Sequence, residues 1–407
     1  MMKKAYAARK KGYLLLIKMK HIYITDTHNC DGCTACYSIC PKNAIEMEPD
    51  AFGFLYPQVN LDKCIDCGLC TKACPLINTN DEKNEQVPLC FAARHKRTEE
   101  LLKSRSGGVF KAIGDYVLRN NGVVYGAAFD EMWYVRHIRV DDPKKLDDLR
   151  ESKYVQSDMR GVFQKVYSDL QTGRLVCFSG TPCQCAGLYS YIKLKKADVT
   201  NLFCVDIVCH GVPSPFLWKD YVSWVHEKYK AEITAINMRD KTIVGWNGHE
   251  ESFQLSKKKK IYKHSFRVLY HTELITRKSC YRCNFANLTR PSDLTLADFW
   301  NWRKVIPGFN KDNKGVSQVL VNTKKGKYLL DNILSDLTLI PTDLQISKQY
   351  NMEHSTPEPI ERDNAEDFYS ANGFKPFIRK YGDWNIYKFL LMQYRRLKLI
   401  YQNQKQK

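Results

Sequence analysis

The sequence predicts an α+β protein in which a small cysteine-rich domain precedes a larger mixed α/β domain. The first observation behind this prediction is a cysteine pattern that occurs twice between residues 30 and 76. The second is a series of apolar strands, from residue 89 onwards, that end in glycine loops and lead into helices. Such strands are typical of an α/β domain with its site at those loops. The chain has 407 residues, which is enough for both domains.

The composition is that of an ordinary soluble globular protein, with 26% charged and 44% hydrophobic residues. The 16 cysteines would suit a disulfide framework only in a small secreted domain. The apolar run at residues 14–17 is too short for a secretory signal, and no stretch reaches membrane-spanning length. We therefore expect a cytoplasmic protein whose cysteines stay reduced and bind metal.

The formal net charge of the chain is +19. A surface of this kind can attract nucleic acid, anionic lipid headgroups or acidic proteins. Because no nucleic-acid-binding motif is present, we expect no nucleic-acid partner and favour a solvated surface or one that faces a protein. A membrane partner is not expected either.

The chain divides into five segments. Residues 1–19 form a basic arm, which either lacks fixed structure or lies upstream of a true start at Met19. The small domain follows at 20–79, the two parts of the larger domain at 80–160 and 161–345, and a helical tail at 346–407.

The repeated cysteine spacing is C-x2-C-x2-C-x3-C-P, the pattern of bacterial two-cluster ferredoxins. Its first copy comprises Cys30, Cys33, Cys36 and Cys40, and its second copy Cys64, Cys67, Cys70 and Cys74. Three closely spaced cysteines hold one [4Fe–4S] cluster, while the fourth points away and ligates the other cluster. The predicted ligand sets are therefore Cys30, Cys33, Cys36 and Cys74 for one cluster, and Cys64, Cys67, Cys70 and Cys40 for the other.

Tetrahedral zinc is the alternative, since it also uses C-x2-C pairs. Zinc sites normally use two such pairs with a longer loop between them. Here three cysteines stand close together, and the fourth precedes Pro41 or Pro75. We therefore favour iron–sulfur clusters over zinc.

Hydrophobic patterns predict the helices and strands of both domains. In the small domain, strands are expected at 21–25, 44–48 and 54–59. In the larger domain, the expected strands are 89–93, 122–129, 134–140, 175–178 and 202–208, and the expected helices are 98–103, 109–119, 162–172 and 186–193. Residues 231–267 favour β structure. A basic amphipathic helix is predicted at 384–401, and we expect it to pack on the body or on a protein partner rather than on lipid.

Several stretches of the larger domain resemble the beta subunit family of coenzyme F420 hydrogenases and dehydrogenases. They are SRSGGVFKAIGDYVLRNNGVVYGAAF, KYVQSDMRGVF, GRLVCFSGTPCQCAGL, DIVCHGVPSP, CYRCNF and RPSDLTLADFW. The resemblance implies FAD, a further [4Fe–4S] cluster, and electron transfer between the clusters and a two-electron carrier. No residue identifies coenzyme F420 itself. Ala297 and Asn301 stand where the family usually has glycine, so we expect a different backbone path there.

The resemblance implies a third cluster on Cys183, Cys209, Cys280 and Cys283. The residues themselves are also suitable ligands: one cysteine follows an SGTP turn, one ends a strand before His-Gly, and two form a C-x2-C pair. A zinc site and buried unliganded thiols remain as alternatives. The family motif favours Cys183 over the nearby Cys185, while Cys177 and Cys204 are expected in the core.

A flavin site is predicted at the loop Ser106, Gly107 and Gly108, because a glycine loop that opens onto a helix can cradle phosphate. An ordinary turn is the alternative. A second matching segment contains Lys153, Gln156 and Ser157, which we expect to contact flavin or substrate unless they form a plain polar loop.

His210 is a candidate proton donor near the flavin, or else a loop residue held by backbone hydrogen bonds. Asp298 is expected near the third cluster. Together these features predict a flavin-dependent iron–sulfur oxidoreductase that has a protein redox partner and a small-molecule substrate. The alternatives are an electron-relay subunit that docks a partner enzyme, and a cysteine-rich zinc protein that binds nucleic acid.

Overall fold

The structure is a computed structural model that describes residues 20–78, 87–256, 259–383 and 386–404. The predicted basic arm at 1–19 lies outside these residues. The described residues up to 78 form the small cysteine-rich domain. Those from residue 87 form the larger α/β body and its helical tail.

The small domain is a β-hairpin combined with two short helices. Strands β1 (Ile45–Pro49) and β2 (Leu55–Val59) pair antiparallel. Helix α1 (Ala35–Ile39) lies in the first cysteine loop, and helix α2 (Leu69–Ala73) lies in the second. Each helix leads directly into the fourth cysteine of its loop, as the spacing predicts.

The strand predicted at 21–25 is not formed. The backbone N–H of Ile22 donates to the Sγ atom of Cys70 at 3.2 Å instead of to a neighbouring strand. The chain then turns into a 3₁₀ helix at Thr27–Asn29, where the Asp26 carboxylate accepts from the backbone of His28. The prediction failed because these amides serve the cysteine loops rather than a sheet.

The described residues beyond the hairpin form eleven further strands: β3 (Leu89–His95), β4 (Val123–Phe129), β5 (Val135–Val140), β6 (Val176–Gly180), β7 (Leu202–Ile207), β8 (Ile233–Asp240), β9 (Glu250–Leu255), β10 (Lys260–Lys263), β11 (Leu294–Asp298), β12 (Ser317–Val321) and β13 (Leu337–Thr342). Eight of them form one mixed sheet in the order β13-β3-β12-β11-β7-β6-β4-β5. Strands β4, β6, β7 and β11 run parallel. The loops after β6, β7 and β11 therefore meet at one edge, where α/β proteins bind their ligands.

Helices cover both faces of this sheet. Those of the body are α3 (Thr98–Lys103), α4 (Val109–Arg119), α5 (Val162–Gln171), α6 (Pro182–Leu194), α7 (Pro215–Tyr229), α8 (Ser265–Tyr270), α9 (Trp302–Val305), α10 (Lys324–Asp331) and α11 (Leu344–Ser347). The helix predicted at 186–193 begins four residues earlier. Its start is capped, because the Thr181 N–H donates to Gln184 Oε1 at 2.9 Å, and Pro182 needs no backbone donor.

Strands β8, β9 and β10 form a separate antiparallel sheet. The β prediction for 231–267 therefore holds up to Lys263, after which helix α8 begins. This sheet shares an apolar core with α7 and with the hairpin of the small domain, in which Phe52, Trp218 and Phe253 are buried.

The tail is helical, with α12 (Arg362–Asn372), α13 (Phe374–Tyr381) and α14 (Ile386–Gln404). Helix α14 corresponds to the helix predicted at 384–401, of which residues 384 and 385 lie outside the described residues. Among the helices that the structure describes, none combines the length and the apolar character needed to cross a bilayer.

A second apolar core joins the small domain directly to the body. Buried Cys33, Cys36 and Ile39 pack in one cluster with Phe163 of α5 and Leu188 of α6. The small domain therefore sits against the same side of the sheet from which α6 starts, close to the loops at the parallel strand ends.

Candidate functional site

The inner quartet consists of Cys30, Cys33, Cys36 and Cys74, which line one small cavity. These are the four cysteines that the repeat assigns to one cluster. Burial raises the pKa of the Cys33 thiol well above its usual range, and the neighbouring Cys74 raises it further. Buried thiols of this kind become ligands when a metal centre stabilises their thiolates.

The outer quartet consists of Cys40, Cys64, Cys67 and Cys70, which line a second small cavity. Backbone N–H groups point at its sulfurs: those of Ala44 and Asp66 donate to Cys40 Sγ at 3.3 Å and to Cys64 Sγ at 3.4 Å. Amides directed at sulfur favour bound thiolates and tune cluster potential. Cys67 is exposed, so this quartet lies near the protein surface.

The third quartet consists of Cys183, Cys209, Cys280 and Cys283, and the fold brings these residues together from distant parts of the chain. Cys183 lies at the start of α6, Cys209 follows β7, and the other two lie in and directly after the 3₁₀ helix Lys278–Arg282. Burial raises the pKa of the Cys280 thiol well above its usual range, and the nearby Cys209 and Cys283 raise it further.

Cys185 does not belong to the third quartet. It is fully buried, and its pKa is raised by burial and by the thiol of Cys204. Cys183 instead faces the quartet, since Cys209 and Cys283 both raise its pKa in addition to burial. This separation agrees with the choice of Cys183 made from the sequence, and Cys177 and Cys204 lie in the core as expected.

Helix α6 connects the inner quartet to the third quartet. A Cβ atom added at Gly187 would lie 2.9 Å from Cys33 Sγ, so the helix backbone presses directly on the inner quartet. Cys183 lies one turn earlier, about 6 Å along the helix axis. The two quartets are therefore neighbours.

Buried Asp31 lies between the same two quartets. Burial is the main cause of the raised pKa of four nearby thiols, and the Asp31 carboxylate raises them further. These thiols are Cys30 and Cys33 on one side and Cys183 and Cys283 on the other. Burial raises the pKa of Asp31 itself, against lowering contributions from Ser279 and Arg277. The region between the two quartets, called the junction below, thus holds a buried carboxyl group close to a buried guanidinium group.

Arg277 is the buried cation at this junction, and the sequence analysis did not predict its role. Its Nε donates to the Cys30 carbonyl at 2.7 Å, and its Nη2 lies 3.5 Å from Cys30 Sγ. The guanidinium stacks 4.2 Å from the centre of the Tyr56 ring. Arg277 precedes Cys280 of the third quartet by three residues in the chain, and it also contacts Cys30 of the inner quartet.

The residues of the predicted flavin loop are engaged inside the protein. The Ser106 hydroxyl donates to the Val316 carbonyl at 2.6 Å, and the Gly107 N–H donates to Ser317 Oγ at 2.8 Å. A Cβ at Gly107 would lie 2.1 Å from the Ala93 carbonyl. These donors are not available to a phosphate, so Gly107 serves close packing against β3 and β12, and Gly108 serves the turn into α4 with φ 82°.

A cluster of cationic side chains, called the cationic pocket below, lies next to this loop and was missed by the sequence analysis. It consists of Arg105, Arg239 and Lys241, with Asp298 as the paired acid: Arg239 Nη1 lies 2.8 Å from Asp298 Oδ2, and Arg105 Nη2 lies 3.6 Å from it. Asp298 therefore faces these arginines, although it also acts on nearby His210. Burial lowers the pKa of Lys241 to about 7, aided by the nearby Arg105.

Some of the guanidinium N–H donors in the cationic pocket are unpaired among the described residues. Arg105 Nε and Nη1 and Arg239 Nε are buried and have no hydrogen-bond partner among the described residues. Unpaired buried donors on a guanidinium are costly, and an anionic group satisfies them best. This donor set fits the pyrophosphate of a flavin dinucleotide. The only early signal was Arg105, which lies inside the matching SRSGG stretch.

Aromatic side chains connect the third quartet to the cationic pocket. Tyr270 lies close enough to Cys209 and Cys280 for both to raise its pKa, after burial as the main cause. Its ring centroid lies 5.1 Å from that of Tyr154. The Tyr154 hydroxyl accepts from Arg239 Nη1 at 2.9 Å. The rings thus form a continuous contact between the two sites.

The segment predicted to contact flavin or substrate has other partners. Gln156 accepts from Arg277 Nη1 and donates to the Asp31 carbonyl, both at 2.9 Å. Ser157 Oγ bonds His137 Nδ1 at 2.8 Å. Both residues therefore support the junction and its surroundings rather than the cationic pocket.

Lys153 is half-buried near these sites, and His210 is exposed to solvent beside Cys209. Lys153 Nζ donates to the carbonyls of Asp148 and Arg150, and burial lowers the pKa of the lysine to about 8. The His210 carbonyl accepts from Thr356 Oγ1 at 2.6 Å, and burial lowers the pKa of its ring. The backbone bond agrees with the loop interpretation of His210, while its position next to Cys209 keeps the proton-donor hypothesis open.

This arrangement defines an iron–sulfur electron-transfer protein in which a dicluster domain is packed on an α/β body. Comparison with known families identifies both parts. Residues 29–76 match the 4Fe-4S dicluster domain, and residues 173–344 match the family that describes the C terminus of the coenzyme F420 hydrogenase/dehydrogenase beta subunit. Residues 29–76 are therefore similar to domains that bind two [4Fe–4S] clusters, and residues 173–344 are similar to the C-terminal part of the F420 hydrogenase/dehydrogenase beta subunits.

Individual relatives agree with this assignment. The chain is 22% identical over 334 residues to the coenzyme F420-dependent sulfite reductase of Methanocaldococcus jannaschii, covering 75% of this chain and 46% of that protein. It is 23% identical over 353 residues to an uncharacterized protein of the same organism, covering 75% and 86%. This chain thus spans less than half of the sulfite reductase. Among solved structures, a chain of the F420-reducing [NiFe] hydrogenase complex from Methanosarcina barkeri aligns at 15% identity with a TM-score of 0.44, covering 72% of this chain and 90% of that one.

Proposed function

We propose that the protein is a flavin-dependent iron–sulfur oxidoreductase that moves electrons between [4Fe–4S] clusters and a two-electron substrate or carrier. One observation carries the proposal: the two quartets of the small domain, the third quartet and the cationic pocket form a series, in which α6 joins the inner quartet to the third quartet and Tyr270 and Tyr154 join the third quartet to the cationic pocket. Such a series suits electrons that travel singly through clusters and are used in pairs at its end.

In this proposal the inner and outer quartets each ligate one cluster, and the third quartet ligates another. The close approach of α6 to Cys33 supports electron transfer from the inner quartet to the third. The amides directed at the outer sulfurs, and the arginine at the inner quartet, support bound thiolates at both places. Zinc is the weaker interpretation of the first eight cysteines, since the dicluster family matches residues 29–76.

FAD in the cationic pocket is supported by the unpaired donors of Arg105 and Arg239. When bound, a flavin accepts electrons one at a time and delivers them in pairs. The two arginines would hold its pyrophosphate, and Tyr154 would orient it through its bond to Arg239. In this proposal His210, which follows Cys209 in the chain, would hold a proton near the third quartet, and Lys153, which precedes Tyr154, would contact flavin or substrate.

The test is anaerobic purification from cofactor-replete cells with iron, sulfide and flavin measured together. Three clusters correspond to about twelve irons and twelve sulfides per chain, and one flavin is expected with them. The variant Arg105→Ala should lose flavin and keep iron. Protein that holds its iron but never any flavin contradicts the flavin part of the proposal.

The third cluster has its own matched test within α6. Cys183→Ser should remove about four irons per chain, because it takes away one ligand of that cluster. Cys185→Ser is the control, since its thiol lies in the core beside Cys204 and should cost no iron. Equal iron content in the two variants would contradict the ligand assignment.

The identity of the two-electron carrier follows from a comparison of substrates. The sulfite reductase relative is named as F420-dependent, which makes coenzyme F420 one candidate carrier for this chain. Chemically reduced protein should be mixed anaerobically with oxidised F420, NAD and NADP, and the loss of cluster bleaching followed. Reoxidation by F420 alone would assign that carrier.

An electron-relay subunit without its own substrate is the second candidate. It is favoured by the sulfite reductase alignment, because this chain covers only 46% of that protein. A partner that co-purifies at one copy per chain, and turnover that requires it, would support the relay function.

A further inference from the structure

Helix α14 exposes an apolar stripe on the side that faces away from the body. Leu390, Tyr394 and Leu397 are 59%, 67% and 64% exposed. Their spacing of four and three residues places them on one face of the helix. Large apolar side chains aligned and exposed in this way indicate an interaction surface rather than a solvated helix.

The opposite side of α14 is attached to the body. Arg396 pairs with buried Glu250, and its guanidinium lies 5.7 Å from the centre of the Tyr262 ring. At the edge of the stripe, between Leu390 and Leu397, Gln393 lines a groove with Lys228 and Lys263. The outward orientation of the stripe is therefore set by an ion pair and a ring contact on the inner side.

The charge around the stripe has one sign. The helix contains Lys388, Arg395, Arg396 and Lys398, and no Asp or Glu. Next to it, a lysine patch lies over aromatic rings: Lys228 Nζ is 4.8 Å from the Trp224 ring, and Lys263 and Lys259 are 5.1 and 5.5 Å from the Tyr229 ring. Of the acids nearby, Glu250 is paired with Arg396 and Asp240 with Lys260, and Asp383 is buried in the wall of the groove.

We propose that helix α14 and the adjacent lysine patch dock the protein on a membrane surface rich in anionic lipid. Leu and Tyr side chains along one helix face, bordered by Lys and Arg, are typical of helices that lie in the interface plane. Tyrosine and cationic side chains both prefer the headgroup level. A second copy of the chain fits poorly, because two helices that carry four cations and no acid repel each other. The inference is independent of the redox chemistry, and it reverses the expectation from the sequence that no membrane takes part.

The test is co-sedimentation of the anaerobically purified full chain with vesicles. Vesicles of phosphatidylcholine alone are compared with vesicles that also contain phosphatidylglycerol. We expect binding at least about tenfold tighter to the anionic vesicles, because each nearby Lys or Arg contributes about fivefold. Raising the salt concentration should weaken the binding.

The variant Leu390→Glu with Leu397→Glu should abolish sedimentation with anionic vesicles. The control variant Gln402→Glu with Gln404→Glu adds the same charge at exposed polar positions of the same helix and should retain most of the binding. Circular dichroism and iron content of both variants establish that the body is intact.

Several outcomes would overturn the proposal. They are no sedimentation of the wild type with anionic vesicles, equal loss in the two double variants, and a dimer that the leucine variant converts to monomer. Tight binding to a DNA duplex that survives in the leucine variant would assign the cations to nucleic acid instead.

Discussion

The inner and outer quartets are built from the same cysteine spacing, yet the protein surrounds them differently. The outer quartet meets solvent at Cys67, and Leu61 beside it is 67% exposed. The inner quartet is covered by α6 and by the guanidinium of Arg277, and Cys33 is buried. The spacing determines which cysteines meet, whereas the contacts with the body determine what each quartet can do.

This difference gives the two quartets different roles. A cluster near the surface can exchange electrons with another protein, while a buried one can only exchange them with its neighbours. The inner quartet has the third quartet as such a neighbour, through Cys183 on α6 and through Asp31. Variants that change one quartet and leave the other unchanged therefore test whether the two quartets have different roles.

The largest expected effect comes from Gly187→Ala. Alanine inside a helix is normally about 1 kcal/mol more favourable than glycine. Here the new Cβ would lie 2.9 Å from Cys33 Sγ and 3.0 Å from Cys33 Cβ, and overpacking of this kind costs about 1–3 kcal/mol. We expect a lower melting temperature and loss of about four irons from the inner quartet, measured anaerobically.

Gly126→Ala is the matched control for this prediction. The nearest atom to an added Cβ at that position is 3.5 Å away, which is an ordinary contact. The control should keep both its stability and its iron. A Gly187→Ala protein with full iron content would mean that α6 can move away from Cys33, and the proposed contact between the two quartets would lose its support.

The second effect is a change of potential in the inner cluster that leaves the outer cluster unchanged. Arg277→Gln removes the positive charge near Cys30 Sγ and should make that cluster harder to reduce. We expect a shift of about 60 mV to more negative potential, which is a tenfold change in a one-electron equilibrium. Redox titration followed by electron paramagnetic resonance measures it, with the outer cluster as an internal reference.

Arg277→Lys keeps the charge but not the forked donor geometry, so it should recover much of the potential. Equal shifts in both clusters would show that the substitution acts on the whole domain rather than on the inner quartet. No shift in Arg277→Gln would remove the arginine from any role in setting the potential.

Local spacing predicts contacts within a loop well and contacts between distant loops poorly. The eight cysteines of the repeat lie in the two groups that the spacing predicts, because the turn after each third cysteine is a local property. Arg277 could not be found this way, since it is 247 residues from Cys30 in the chain and its role depends on how the domains pack.

The predicted flavin loop shows a local pattern that suits two different roles. Ser106 and Gly107 look like a phosphate cradle because glycine before a helix is what such a cradle needs. Close packing against a strand requires glycine as well. The Ala93 carbonyl lies so near Gly107 that a Cβ atom would not fit, and this contact favours the packing role. Arg105, the residue directly before Ser106, carries the unpaired nitrogen atoms instead.

The smallest expected effect concerns electron entry at the outer quartet. Leu61→Glu replaces an exposed apolar side chain beside the outer quartet with an acid. If an acidic electron-carrier protein docks there, the substitution should slow cluster reduction by that protein about fivefold, which corresponds to ~1 kcal/mol. Reduction by dithionite, which needs no docking surface, should be unchanged.

Met132→Glu, at a residue 68% exposed in the turn between β4 and β5, is the control and should alter neither rate. Should Leu61→Glu slow both reductants equally, the substitution acts on the outer cluster itself, and the exposed side of this quartet is then not where a protein donor binds.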